Sequence, residues 1–540
     1  MRKLGALLAM AGSIAIGLGG CGDDAGGTPG GTLKVSFVAF PESLDPQIAY
    51  SAEGWSAIYN TYLPLLTYAH AEGEEGGEVI PALAEDLPRI SADGKTYELT
   101  LRKGLKYSDG RPVKASDFNA AVERLFEVES FGAGFFTGIV GAEDFFEGKA
   151  KGISGIKAND ATGEITIELT SPSGTLVNEL AMPLVALIPA GTPAKDQTAT
   201  PPPATGPYEI VEMNPGRSWA YRRNPVWATN NAKLMPDLPS GHVNRIEVKV
   251  VSNEATQVNE VERGETDWMF DPVPSSVVAK VRARYEGTQY KPEPSISTYY
   301  FWMNTTRPPF DDVKVRQAVN HALDPAALER IYAGEIKPTQ QILPPGMPGY
   351  EKFELYPHDM EKAKELIAEA NPSDRDITIW TNNLNPNDEA AAYYQDVLEQ
   401  LGFDAKLKTL GAENFFAVIT NTSTPDLDTG WINFFEDYPH PDDFFGQALS
   451  GDAIAPVNNT NLAQIDDPRL NAKIEKLASE PIGPEQEEAY AQLDREFMEL
   501  APWAPYGNRT LSLFVSSDVD MDEVIWNPTF SGDLTSFQFK

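Results

Sequence analysis

The run Leu101-Arg102-Lys103-Gly104-Leu105-Lys106-Tyr107-Ser108-Asp109-Gly110 decides how the rest of the chain is read. Just before it, Tyr97, Leu99 and Leu101 alternate with polar neighbours, the two-residue period of a strand with one buried face. Gly94 and Gly110 read as turn glycines, and Arg102 and Lys103 as a solvated strand end. After Lys114-Ala115-Ser116-Asp117 the period changes, and Phe118, Ala121, Val122, Leu125 and Phe126 recur at helical spacing. Strand, tight turns and amphipathic helix in close succession mark a mixed α/β chain.

The same mixture extends in both directions. Ile165, Ile167 and Leu169, led in by the turn Asp160-Ala161-Thr162-Gly163, and Ile246, Val248 and Val250 alternate as strands do. Helical stripes run through Met360, Ala363, Leu366, Ile367 and Ala370, and through Tyr490, Leu493, Phe497 and Leu500. Asp324-Pro325 is a helix start, with Asp as N-cap and Pro at the first helical position. Pro-rich loops at 191–207 and 343–349 interrupt the pattern, and no short-period repeat appears. At 540 residues, 41% of them hydrophobic, the chain has material for two or three domains.

The N-terminus reads as an export address. Arg2 and Lys3 precede an uncharged apolar stretch from Leu4 to Leu18, shorter than the roughly 20 residues a membrane span needs. It runs into Leu18-Gly19-Gly20-Cys21, which matches the bacterial lipobox, and Cys21 is the single cysteine. Residues 1–20 are therefore expected to be a signal peptide, Cys21 the lipidated residue, and 21–31 a Gly-rich flexible tether. The expected location is extracytoplasmic, with the lipid holding the protein to the outer face of the cytoplasmic membrane. A formal net charge of −36 argues against nucleic acid, whose phosphates need a basic patch. The five histidines form no zinc spacing and no G-x-S-x-G elbow occurs, so no enzyme, metal or cofactor is implied.

Several separated motifs resemble the bacterial extracellular solute-binding proteins of family 5, the oligopeptide and dipeptide type of ABC importers. They are Ser43-Leu44-Asp45-Pro46 with Leu63-Pro64-Leu65-Leu66, Pro81-Ala82-Leu83-Ala84-Glu85, Asp93 to Tyr97 and Leu101 to Gly110 completed by Lys114-Ala115-Ser116-Asp117, Thr205-Gly206-Pro207-Tyr208, Arg223-Asn224-Pro225, Gly264-Glu265-Thr266-Asp267, and 309–319 closed by Asp324. Most of these residues are expected to hold the domains in shape without touching ligand. The resemblance implies a two-lobed clamp with a hinge between its lobes. Lobe I would be split over 32–70, 203–297 and 506–540, an accessory domain would span 71–202, and lobe II would span 298–505. The partners implied are a small solute, peptide or amine-bearing, and an ABC permease complex; a monomer is the default.

In the peptide-binding relatives an aspartate of lobe II pairs with the ligand's amino group, and the matching residue here is Asp437, followed by Tyr438. The relatives place a tryptophan three residues before that aspartate; this chain has Phe434 there and Trp431 further back. Glu436, Asp442 and Asp443 crowd the same segment. Trp302 at the hinge, Trp380 and Trp431 are candidate cleft walls, and Tyr50 and Ser51 candidate contacts from lobe I. Dipeptide-binding relatives carry an arginine soon after the segment matching Ile379-Trp380; none occurs in 381–388, which disfavours a free dipeptide. The same clamp binding an oligosaccharide or other non-peptide solute, a sensor role, and more remotely a secreted hydrolase remain as alternatives. Cys21→Ser is expected to release the protein from membranes into the soluble fraction, and fractionation with intact-mass measurement checks this.

Overall fold

The stripes at Tyr97 and Ile165 pair with each other in a second sheet, while the stripe at Ile246 to Val250 joins one large sheet that passes through both lobes of a computed structural model describing residues 30–540. The signal segment, Cys21 and all of the tether except its last two residues lie outside the described residues. From lobe II inward the strands are Asp404–Leu410, Asp376–Asn382, Thr429–Phe435, Ser297–Met303 and Trp503–Val515. From there into lobe I they are Trp268–Met269, Thr32–Phe37, Arg245–Val250, Ser218–Arg223 and Tyr208–Asn214. The fold is mixed α/β, a two-lobed clamp. Strand Trp503–Val515 joins the halves: Trp503 to Gly507 pair with Ser297–Met303, and Thr510 to Phe514 pair with Tyr290–Pro294.

A separate four-stranded sheet orders Arg89–Ile90, Thr96–Thr100, Glu164–Glu168 and Ile156–Ala158. Helix Ala115–Glu127 buries Phe118, Ala121, Val122, Leu125 and Phe126, the stripe read from the sequence. Gly94 and Gly110 have φ of 69° and 86°, in the left-handed region that glycine enters without a Cβ clash. The hydrophobic core of this sheet is continuous with that of lobe I, whereas lobe II has its own. The hairpin of Leu66–Tyr68 with Val79–Pro81 straddles residue 71, where the accessory domain was expected to begin.

The resemblance motifs tie backbone together. Asp45 is fully buried and takes two hydrogen bonds from the Arg124 guanidinium, 2.7 Å to Oδ1 and 2.6 Å to Oδ2. Arg124 also donates to the carbonyls of Pro193 and Lys195, so one pair links lobe I, the accessory helix and the Pro-rich loop. Asp117 accepts from Tyr107 Oη, Lys114 N and Ala190 N. Asn224 caps the helix Pro225–Thr229 and donates to Gly206 O. Arg316 donates to the carbonyls of Phe310 and Leu500. Each saturates a buried polar group that would otherwise lose its water without replacement. Arg124→Met is expected to destabilise the protein by about 3–5 kcal/mol, because Asp45 is left as an unpaired buried charge. The check is the urea midpoint, and Asp45→Asn added to Arg124→Met should recover part of the loss.

Candidate functional site

Strand Thr429–Phe435 carries the chain to the edge of lobe II, and a segment holding Pro439 and Pro441 leads from it to helix Asp442–Ala448. The connecting segment folds back on itself. Asp437 N donates to Asp443 Oδ2 at 2.7 Å, and Asp442 N donates to His440 Nδ1 at 3.1 Å. Four carboxyls, Glu436, Asp437, Asp442 and Asp443, are thereby gathered in one place. The accessory domain supplies a fifth, Glu179, which feels the charge of Asp442.

The two lobes are closed over this segment. Tyr50 Oη of lobe I donates to Asp437 Oδ2 at 2.6 Å, and Thr529 Oγ1 donates to Glu436 Oε1 at 3.2 Å. Tyr438, although part of lobe II, is buried in the core of lobe I and lies 5.9 Å from the ring of Phe135. Phe131 and Phe416 meet at 5.8 Å, Gly174 N donates to Ala478 O at 2.6 Å, and Ser275 Oγ donates to Asn385 Oδ1 at 3.1 Å.

Closure takes the acids out of water without giving them cations. Burial pushes Asp437 and Asp442 up to about 7, Glu436 and Glu179 up to about 8, and Asp443 well above the carboxylate range. Neighbouring carboxylates add to the shifts of Glu436, Asp443 and Glu179. None of the five makes an ion pair among the described residues, and no basic side chain opposes their shifts. Glu436 Oε2, Asp442 Oδ1 and Asp443 Oδ1 are buried without a hydrogen-bond partner. His440 supplies no charge, since burial lowers it to about 4 and its Nε2 is also unpartnered. In lobe I, Glu53, Asp271 and Glu254 are raised by burial as well.

Beside this group lies an aromatic wall. Trp431 Nε1 donates to Tyr506 Oη at 2.8 Å, Tyr506 and Tyr332 hydroxyls are 2.9 Å apart, and Tyr299 stands edge-on to Trp431 and Phe435. Trp302 and Trp380, expected as cleft walls, are placed elsewhere. Trp302 is fully buried on the opposite face of its strand from Tyr299, against Gly430. Trp380 donates to Asp426 O, and Lys408 Nζ sits 4.6 Å over its ring. Phe434 packs on Phe444 at 4.9 Å, on the strand face opposite Phe435. Ser51 caps helix Ala52–Ile58 and donates to Glu42, while Tyr50 reaches Asp437. Glu179, Phe131, Phe416 and Thr529 were not singled out in the sequence; they belong to no motif, and only closure brings them to the loop. Two open depressions of about 570 and 560 Å³ lie elsewhere, and both have mixed charge: Lys34, Arg245 and Lys249 with Glu212, Glu247 and Glu265 in one, and Arg307, Lys406 and Lys408 with four aspartates in the other.

Comparison with known proteins gives three findings. The model of bacterial extracellular solute-binding proteins, family 5 (middle), matches residues 78–456. Glutathione-binding protein GsiB of Salmonella paratyphi A is 26% identical over 331 residues, and that of Escherichia coli K12 is 27% identical over 328. The matched region is 60% of this chain and spans 60% of the length of these relatives. Among solved structures, clavulanic acid biosynthesis oligopeptide binding protein 2 superposes with a TM-score of 0.86 at 23% identity, over 95% of this chain and 96% of that one. Helicobacter pylori DppA in complex with peptide STSA gives 0.78 at 20% identity, over 94% and 98%. At these identities the structural likeness concerns the fold.

The raised carboxyls make closure proton-linked. On opening they return to the usual carboxylate range of about 4, so empty closure takes up protons and is favoured as pH falls from about 8. The radius of gyration of ligand-free protein is expected to be smaller at about pH 5 than at about pH 8 by X-ray scattering. A value that does not change with pH would contradict the burial of these acids in the closed clamp.

Proposed function

The chain belongs to the family 5 bacterial extracellular solute-binding proteins, and on that premise we propose that it captures a peptide-like, amine-bearing solute by lobe closure and delivers it to an ABC permease. The observation that carries this reading is the closed interface itself, where four buried carboxyls and the half-buried Asp437 stand without an ion-pair partner among the described residues. Burying a charge without a partner is strongly unfavourable. A ligand ammonium at Asp437 supplies the missing charge, satisfies free carboxylate oxygens, and so binds the closed state better than the open one. That differential affinity is what a ligand needs in order to drive closure.

The same electrostatics narrow the cargo. Glutathione, printed in the name of GsiB, carries one ammonium against two carboxylates. An interface this acidic favours a solute with more positive charge than that. A neutral sugar would leave the carboxyls as they are, and for that reason the oligosaccharide reading has less support. Cys21 is the proposed anchor to the outer face of the membrane, and the closed clamp is proposed to act as a monomer. Asp45 and Arg124, by contrast, are proposed to serve shape alone.

Native mass spectrometry of protein purified without refolding should reveal the bound solute directly. Asp437→Asn is expected to weaken an amine-bearing ligand by about 2–5 kcal/mol, roughly thirtyfold or more. Calorimetry with the identified ligand measures this, and a loss below about threefold would reject Asp437 as the ammonium partner.

A further inference from the structure

The accessory domain meets lobe II through backbone as well as through side chains. Gly174 N donates to Ala478 O at 2.6 Å. Ala478 is the last residue of helix Pro468–Ala478 in lobe II, so its carbonyl has no partner within the helix. The N–H arriving from the other body fills it, at the helix end where partial negative charge collects. On the accessory side the segment is already fixed. Ser173 Oγ accepts from Thr175 N and Leu176 N at 3.2 and 3.1 Å, and Tyr97 Oη donates to Ser173 O. The N–H among these that turns to lobe II is that of Gly174.

A side chain at 174 has no room in this contact. A Cβ on Gly174 would stand 2.1 Å from Glu480 O, 2.6 Å from Glu480 C and 3.2 Å from Ala478 O. All three atoms are backbone of lobe II, and beyond its chain neighbours no atom of the accessory domain comes as near. Local conformation does not call for glycine either, since the φ of Gly174 lies outside the left-handed region that Gly94 and Gly110 occupy. The missing side chain answers to lobe II alone. The short helix Leu176–Glu179 follows directly and carries Glu179 to within the field of Asp442. Phe131 and Phe135 of the same domain meet Phe416 and Tyr438. We propose that the accessory domain is a second closing surface of the clamp and that Gly174 is its latch: bare backbone seats on the end of helix Pro468–Ala478 when the lobes shut, and any side chain there holds them apart. The proposal goes beyond the ammonium reading and rests only on capture by lobe closure. It gives the accessory domain a task in capture, because the same seating brings Glu179 to the acidic loop.

The test uses the full chain with Cys21→Ser, so that cysteines introduced by Ala92→Cys and Ala472→Cys carry the only spin labels. Both sites are exposed, the first in the turn that packs on Pro172 and the second earlier on helix Pro468–Ala478. Pulsed electron resonance reads the distance between them in protein closed by acid or by a tryptic digest of casein. Wild type is expected to gain a short distance on closing. Gly174→Ala is expected to melt with wild type and yet to lose that short-distance population by about tenfold or more, as overpacking against backbone dictates. If Gly174→Ala closes as fully as wild type, the latch falls and lobe closure stands. If wild type keeps one distance under every condition, lobe closure is refuted and the latch falls with it. Should Gly174→Ala melt early, hydrogen exchange of wild type still decides. The Gly174 N–H is expected to exchange more slowly in the closed state, and equal exchange in both states overturns the proposal.

Discussion

Everything in this clamp depends on one strand being shared by two bodies. Trp503–Val515 is hydrogen-bonded into lobe II along its first half and into lobe I along its second. Its register slips between Tyr299 and Tyr300, which pair with Gly507 and Pro505 and leave Tyr506 outside the ladder. A bulge bends a strand and re-aims the extra side chain. Tyr506 uses that freedom to join Tyr332 and Trp431 in a hydroxyl and indole cluster. At Gly507 a Cβ would come within 2.3 Å of Ile336, so the close approach at the bend needs a residue without one. Asn508 then pins the strand by donating to Ser297 O at 3.0 Å.

The molecule uses buried charge in two opposite ways. Asp45 and Arg124 are sealed together with their hydrogen bonds filled, and the pair holds lobe I to the accessory domain. At the interlobe loop Glu436, Asp442 and Asp443 are buried and Asp437 is half-buried, and none has such a partner among the described residues. The first arrangement is complete in the protein alone. The second has no countercharge among the described residues, and that difference is what sets it apart from a structural ion pair. Desolvation strengthens both effects, since low dielectric rewards a pair and penalises a lone charge alike.

Local patterns were legible where local physics decides. The stripe at Phe118 to Phe126, the alternation at Tyr97 to Leu101 and the cap at Asp324 depend on neighbours three or four residues away, and the helix, strand and N-cap stand there. The aromatic hinge was harder. Ser297–Met303 is buried on both faces, so alternation there could not say which rings reach the interface. Trp302 and Trp380 looked as suitable as Trp431, and the difference is which face of a doubly covered strand each one occupies. No arginine occurs in 381–388, and the guanidinium near the aromatic wall comes from Arg509, far along the chain.

By itself the sequence determined the family, the mixed α/β class and the acidic segment around Asp437, because motif order, periodicity and charge are written along the chain. Only the tertiary structure decided which groups meet. Glu179, Tyr50 and Thr529 come from three distant segments, and closure alone sets them beside Glu436, Asp437 and Asp442. It also decided that these acids lie without an ion-pair partner among the described residues, which turns a common loop composition into an electrostatic demand. The physical reason is burial. A carboxylate's cost depends on the water and countercharge around it, and those are properties of the folded, closed molecule.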